Sequence, residues 1–181
     1  MNIALIGPHG VGKTVLGKPA AKATKLTYYS LDTARSQYFI KYGYDPRQAE
    51  QYIRQNNMIA LFQYWKPFAI QAIQEIMPAK NDCLFDLGAS FIVSPTVAEI
   101  AELQNLAKVN NTKLILVLPS DNLEISKRVL TKQGIYNELT EHFLDNYEHY
   151  QITDHIFFTD GYTTDENIQR LIRLIHRLKA F

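Results

Sequence analysis

The stretch GPHGVGKT, residues 7–14, decides how the rest of this chain is read. It follows the apolar run NIALI and sets Gly7, Gly12, Lys13 and Thr14 in the pattern Gly-x-x-x-x-Gly-Lys-[Ser/Thr], with Gly10 as a further glycine. Glycines at that spacing let successive backbone N–H groups converge on a phosphate, and the N-terminus of the following helix adds its dipole. The lysine of such a loop reaches the β- and γ-phosphates, and the threonine hydroxyl can ligate Mg²⁺. The expected nucleotide site is Gly7, Gly10, Val11, Gly12, Lys13, Thr14 and Val15, with ATP and Mg²⁺ as its cofactors. His9 occupies a free position of the loop and reads as surface.

Outward from the loop, short apolar runs alternate with helical patterns to the end of the chain. NIALI, LTYYS, DCLFD, KLILVLP and HIFFT read as strands. Between them, helical patterns cover about 13–24, 32–42, 46–77, 95–109, 122–131 and 137–150, and a last helix begins at Thr163. There Thr163 is the expected N-cap, with Glu166 three residues on. Five apolar strands separated by helices imply βα units and a parallel sheet buried on both faces. Pro19 and Pro67 fall inside helical patterns, where each is expected to kink or break its helix. No repeat, low-complexity tract or linker interrupts the 181 residues, so one domain is expected over 1–181.

Composition narrows the partners. With 19 Lys+Arg against 18 Asp+Glu, the net charge of +1 gives no broad footprint for nucleic acid or a membrane surface. The sole cysteine, Cys83, can form neither an internal disulfide nor a cysteine-based zinc site, and in the run CLF it reads as a buried structural thiol. The chain shows no basic and apolar leader and no apolar stretch of about 20 residues, so it is expected to be cytoplasmic.

A phosphate loop works with a carboxylate at the end of another strand, and CLFD ends in Asp86. Thr14 and Asp86 are therefore the expected metal ligands, with Asp82 the weaker candidate. In LTYYSLDTAR, Asp32 lies two residues past the second strand, on the side where open parallel sheets bind ligands. It either caps the next helix or orients and deprotonates an acceptor hydroxyl. Arg35, one turn later, could meet the same ligand or be solvated.

These segments resemble shikimate kinases, members of the small P-loop kinases. Residues 7–36 line up with that family without a gap: GKTVLGKPAAKA matches its first helix and YSLDTA the segment with its two aspartates. LFDLGASFIVSP is similar to its third-strand segment, and YEHYQITDHIFFTDGYTTDENIQRLI to its tail. The resemblance implies a three-layer α/β P-loop NTPase fold with a five-stranded parallel sheet in the order 2-3-1-4-5. It also implies a helical acceptor region at about 32–77, a lid at about 131–147, and Arg128 beside the adenine, with Lys127 a weaker choice. The departures carry as much information. The family's first aspartate falls on Ser30 and its second on Asp32, while Asp86 stands where the family has Ser or Thr, as if the metal-linked carboxylate had moved by one strand. The triple-glycine turn becomes Gly88-Ala89-Ser90, and two arginines that grip the shikimate carboxylate fall on Gln63 and Asn146, with Arg54 reachable by a shift of register. An amide cannot replace an arginine–carboxylate fork, which argues against shikimate. The lid segment TKQGIYNELTEHFLDNY has Lys132 but no arginine.

The leading expectation is Mg²⁺/ATP-dependent phosphoryl transfer to a small-molecule hydroxyl other than shikimate, with Lys13 and Asp32 as catalytic residues. Asp32, Arg35, Gln63 and Gly88 are expected at the acceptor, in a pocket between Asp32, the segment 46–68 and Gly88. Tyr44, Tyr52, Phe62, Tyr64 and Trp65 are read there as mostly core, with some lining an aromatic acceptor site. A nucleoside monophosphate kinase is a second reading, supported by Asp32-Thr-Ala-Arg35 but lacking the Asp-Gly-Phe-Pro-Arg segment and arginine-rich lid of those enzymes. A nucleotide-binding regulatory or degenerate kinase is a third, favoured by Ser30, the lost glycines and the lid.

Overall fold

The first strand, β1 (Asn2–Ile6), is apolar at four of its five positions and buried at all five, as befits the centre of a parallel sheet. In the computed structural model, which describes residues 1–88, 96–145 and 148–180, the glycine loop leads from it into α1 (Lys13–Ala23). Then come β2 (Thr27–Ser30), α2 (Leu31–Lys41), α3 (Pro46–Arg54), α4 (Met58–Ile76) and β3 (Cys83–Asp86). The chain continues through α5 (Val97–Val109), β4 (Thr112–Leu118), α6 (Leu123–Lys132), α7 (Glu138–Leu144), α8 (Glu148–Gln151), β5 (His155–Phe158) and α9 (Thr164–Lys179).

All strand pairings are parallel and the order is β2-β3-β1-β4-β5, as the resemblance implied. Period-two alternation divides each central strand between two cores. Ile3, Leu5, Ile115 and Val117 pack with α1 and α9 on one face. Ala4, Ile6, Leu114, Leu116 and Leu118 pack on the other face with the inner sides of α2, α4 and α5. The result is the three-layer arrangement expected for βα units. Thr163 and Glu166 form a reciprocal capping box at α9, and the Thr163 backbone N–H holds the Glu166 carboxyl below its ordinary range. Among the described residues no helix is long and apolar enough to cross a membrane.

Three local expectations need correction. The helix predicted over 46–77 is two helices, because Asn56 adopts φ +52 between α3 and α4 and Asn57 caps α4 through Ala60 N–H. The left-handed region is one that asparagine tolerates better than most side chains. Neither Pro19 nor Pro67 breaks its helix. Each removes one backbone hydrogen bond, but Leu16, Ala20 and Ala21 in α1, and Leu61, Ala69 and Ala72 in α4, are anchored in the core on both sides of the ring. The pattern over 137–150 divides into α7 and α8, with 146–147 outside the described residues.

Cys83 is fully buried, and burial pushes its thiol up to about 11. It is therefore expected to resist a disulfide reagent such as DTNB in the folded protein and to react promptly once denatured. Thiol counting with and without denaturant checks this.

Candidate functional site

The loop between β1 and α1 takes positive φ at Gly7, Gly10 and Gly12. Lys13 is the first residue of α1 and is buried, its ammonium donating to the carbonyls of Gly7 at 2.9 Å and Pro8 at 2.8 Å. Burial lowers its pKa, against the attraction of Asp86 and Asp32, so these three charges form one electrostatic unit. Val11 is packed in the core and offers the loop only its backbone, whereas the Val15 side chain is exposed on α1.

Asp86 ends β3 at 1% exposure. Its Oδ2 accepts hydrogen bonds from the hydroxyls of Thr14 at 2.6 Å and Tyr28 at 2.9 Å, while Oδ1 is buried without a partner. A buried carboxylate left half satisfied costs stability unless a cation or donor completes it. Ser30 is the direct register partner of Asp86 across β2 and β3, so a carboxylate stands one strand over from the position of Ser30. Asp82 lies at the opposite end of β3, where it pairs with the N-terminal ammonium at 3.2 Å. Sequence reasoning missed Tyr28. Its role depends on register, which brings a β2 phenol to a β3 carboxylate. Burial raises the Tyr28 pKa, and Asp86 raises it further, so the phenol stays a donor. Tyr28→Phe is expected to cost about 1–2 kcal/mol and to raise the Mg²⁺ requirement for nucleotide binding by about tenfold or more. Denaturant unfolding and calorimetric Mg²⁺ titration check the two parts.

The helix cap belongs to Ser30, whose hydroxyl accepts from Thr33 N–H at 3.4 Å. That leaves the Asp32 carboxylate, in the first turn of α2, without a hydrogen-bond partner among the described residues. It lies against Gly88: a Cβ there would stand 2.9 Å from Asp32 Oδ1, and φ is +69. A side chain at 88 would thus displace Asp32. Ala89, Ser90 and Asn146 lie outside the described residues.

Asp32 and Arg35 open into a cavity of about 480 Å³. The floor is a stripe on α4 formed by Met58, Phe62 and Trp65, at helical spacing i, i+4, i+7. The roof comes from α7, with Leu139, Thr140 and Phe143, and Pro8 and His9 connect the cavity to the phosphate loop. His9 is therefore a rim residue of the cavity. Arg35 lies 4.3 Å from the centre of the Trp65 ring. The other aromatics have a different use: Tyr44, Tyr52 and Tyr64 pack with one another and with Phe68.

The cavity therefore differs from the pocket expected for an acceptor. Helix α3 does not line it, and Arg54 on that helix pairs with Glu50 instead. Gln63 is exposed and outside the lining, one residue away from Phe62, which is inside. The 58, 62, 65 periodicity was the signal that could have separated them. On α6, Arg128 and Lys132 are exposed, and Lys127 is paired with Glu141 at 3.5 Å and Asp145 at 3.9 Å. Ile135 packs on the loop itself: a Cβ on Gly10 would stand 2.4 Å from Ile135 Cδ1.

No protein-family model and no curated protein matches this chain. Solved structures do. A shikimate kinase from Acinetobacter baumannii, solved in complex with shikimate, superposes with a TM-score of 0.62 at 12% identity, covering 97% of this chain and 93% of that one. The fold is the shikimate kinase fold. The shikimate kinase of Aquifex aeolicus gives a TM-score of 0.55 at 14% identity over 98% and 97% of the two chains. A gluconokinase from Sinorhizobium meliloti gives 0.51 at 12% identity over 98% and 92%. One fold thus accompanies different acceptors, so the acceptor has to be argued from the site.

Proposed function

We propose that this chain transfers the γ-phosphoryl group of ATP to the hydroxyl of a small molecule. The observation that supports it best is the Asp32 carboxylate, freed from helix capping by Ser30 and facing a cavity that borders the phosphate loop. In this reading the backbone N–H groups of residues 7–14 and the N-terminus of α1 hold the phosphates. Lys13 supports the charge on the transferred group, and Asp32 orients the acceptor hydroxyl. The hydroxyl oxygen bonds to the γ-phosphorus as the bond to the β-phosphate oxygen breaks, and Asp32 takes the hydroxyl proton. Thr14 Oγ1 and Asp86, with its unpartnered Oδ1, are the groups that fit a bound Mg²⁺. Mg²⁺ in this place supplies charge that offsets the phosphate oxygens. Arg128, exposed on α6, is the proposed side chain beside the adenine.

Incubation with γ-labelled ATP, Mg²⁺, hydroxyl metabolites and nucleoside monophosphates tests the proposal. Label recovered in a hydroxyl acceptor is the expected outcome, and label only in nucleoside diphosphates would contradict it. Ile135 supports a second reading, a nucleotide-binding regulatory protein with little transfer. An apolar side chain, rather than a cation, covers the loop at Gly10. That reading expects ATP binding with slow hydrolysis and no phosphorylated acceptor.

A further inference from the structure

We infer that the β5 edge of the sheet is a docking surface for an acidic, extended segment of a partner protein, which adds to β5 as a further strand. None of the residues concerned belongs to the phosphate loop or to the cavity beside Asp32, so this surface is independent of phosphoryl transfer.

Strand β5 ends the sheet and pairs only with β4 among the described residues. Thr159 N–H reaches Leu118 O at 3.0 Å, and the alternation of a strand then turns the backbone groups of Ile156 and Phe158 to the open side. There Phe158 O accepts from Arg170 Nη1 at 2.8 Å. Both backbone groups of Ile156 and the N–H of Phe158 remain unpartnered among the described residues, and the Ile156 side chain is exposed. An open edge of this kind is a template for another chain.

Beside it, a groove of about 490 Å³ runs between β5 and α9. Arg170, Arg173 and Arg177 line it, and no carboxylate does. Spacings of three and four keep them on one face of α9 over about 10 Å. Arg170 is held by Phe158 O, by Asn167 Oδ1 at 2.6 Å and by the Tyr162 ring at 3.8 Å, with Glu166 the carboxylate that feels its charge. Arg173 and Arg177 are exposed and have no partner among the described residues. The helix dipole accounts for a cation at Arg177 in the last turn, but Arg173 lies in the middle of α9, beyond its reach.

A row of guanidinium groups keeps two copies of this chain from pairing edge to edge, and the same charges select the opposite sign in a partner. An extended chain presents every second side chain on one face, about 6.6–6.8 Å apart, which is comparable with the one-turn spacing of these arginines. Acidic residues at alternate positions thus meet Arg173 and Arg177 while the main chain pairs with Ile156. Phe157 packs toward α9, so the Ile156 side chain points to the other face and meets the apolar residues in between. A free anion would use the arginines and leave the strand edge idle. Nucleic acid needs a wider basic surface than a chain of net charge +1 offers.

The probe is a short fluorescein-labelled peptide of alternating glutamate and valine, titrated into the full chain and followed by anisotropy. A lysine–valine peptide, tripolyphosphate and single-stranded DNA serve as comparisons. The expected result is saturable binding of the acidic peptide, at least about tenfold tighter than each comparison. The double substitution Arg173→Glu, Arg177→Glu should weaken it at least about tenfold with wild-type circular dichroism. Hydrogen exchange at the amides of Ile156 and Phe158 should slow on binding, a response that ion pairing alone does not produce. Unchanged affinity in the double variant, or no slowing at those amides, overturns strand addition. No saturable binding would leave the arginines as guards of the edge and overturn it equally. Tripolyphosphate or DNA bound as tightly as the peptide would mark a general anion surface instead.

Discussion

Lys13→Ala is expected to lower phosphoryl transfer by about 10²–10³-fold and to abolish measurable ATP binding, while leaving the fold intact. Lys13 carries the only ammonium hydrogen-bonded within the loop among the described residues, held between the carbonyls of Gly7 and Pro8. Those two bonds are internal to the loop, so alanine removes a buried charge without breaking a link between elements. The variant should therefore unfold near the wild-type temperature and lose the thermal shift that ATP produces. A pH dependence accompanies it. Because burial lowers the Lys13 pKa, the free protein loses this charge as pH rises through a value below the ordinary lysine range. ATP affinity should fall along the same alkaline limb. Calorimetry of wild type and variant across pH measures both effects, and a wild-type affinity for ATP in Lys13→Ala would be incompatible with the loop's proposed role.

Asp32→Asn is expected to reduce transfer by about 10²–10⁴-fold with ATP affinity little changed. The amide keeps the shape against Gly88 but can neither take the acceptor proton nor offer two anionic oxygens to a hydroxyl. Since Ser30 holds the helix cap, the substitution leaves the α2 N-terminus satisfied, and stability should move by less than about 0.5 kcal/mol. The combination separates a catalytic Asp32 from a structural one. A capping residue would show lost stability, and a bystander would show neither change.

How much of this was legible in the sequence follows from the range of each interaction. The glycine loop, the alternation in NIALI and KLILVLP, and the Thr163–Glu166 box are local signals, and the structure bears out those elements. Pro19 and Pro67 were misleading because core anchoring on either side outweighs one lost backbone bond. At the site, the residue types of Asp32, Asp86 and Thr14 could be read, but not the partners that define them. That Ser30 rather than Asp32 caps α2 depends on backbone geometry. That Tyr28 reaches Asp86 depends on the register of β2 on β3. The cavity roof on α7 lies more than a hundred residues from Asp32, a distance over which periodicity carries no information.

The central claim is transfer to a hydroxyl. Phosphorus NMR of the protein with ATP, Mg²⁺ and a dephosphorylated metabolite extract tests it most directly. Growth of a phosphomonoester resonance as the γ-phosphate disappears, in wild type but not in Asp32→Asn, is the expected result; ATP converted solely to ADP and inorganic phosphate, at the same rate in both proteins, would contradict it.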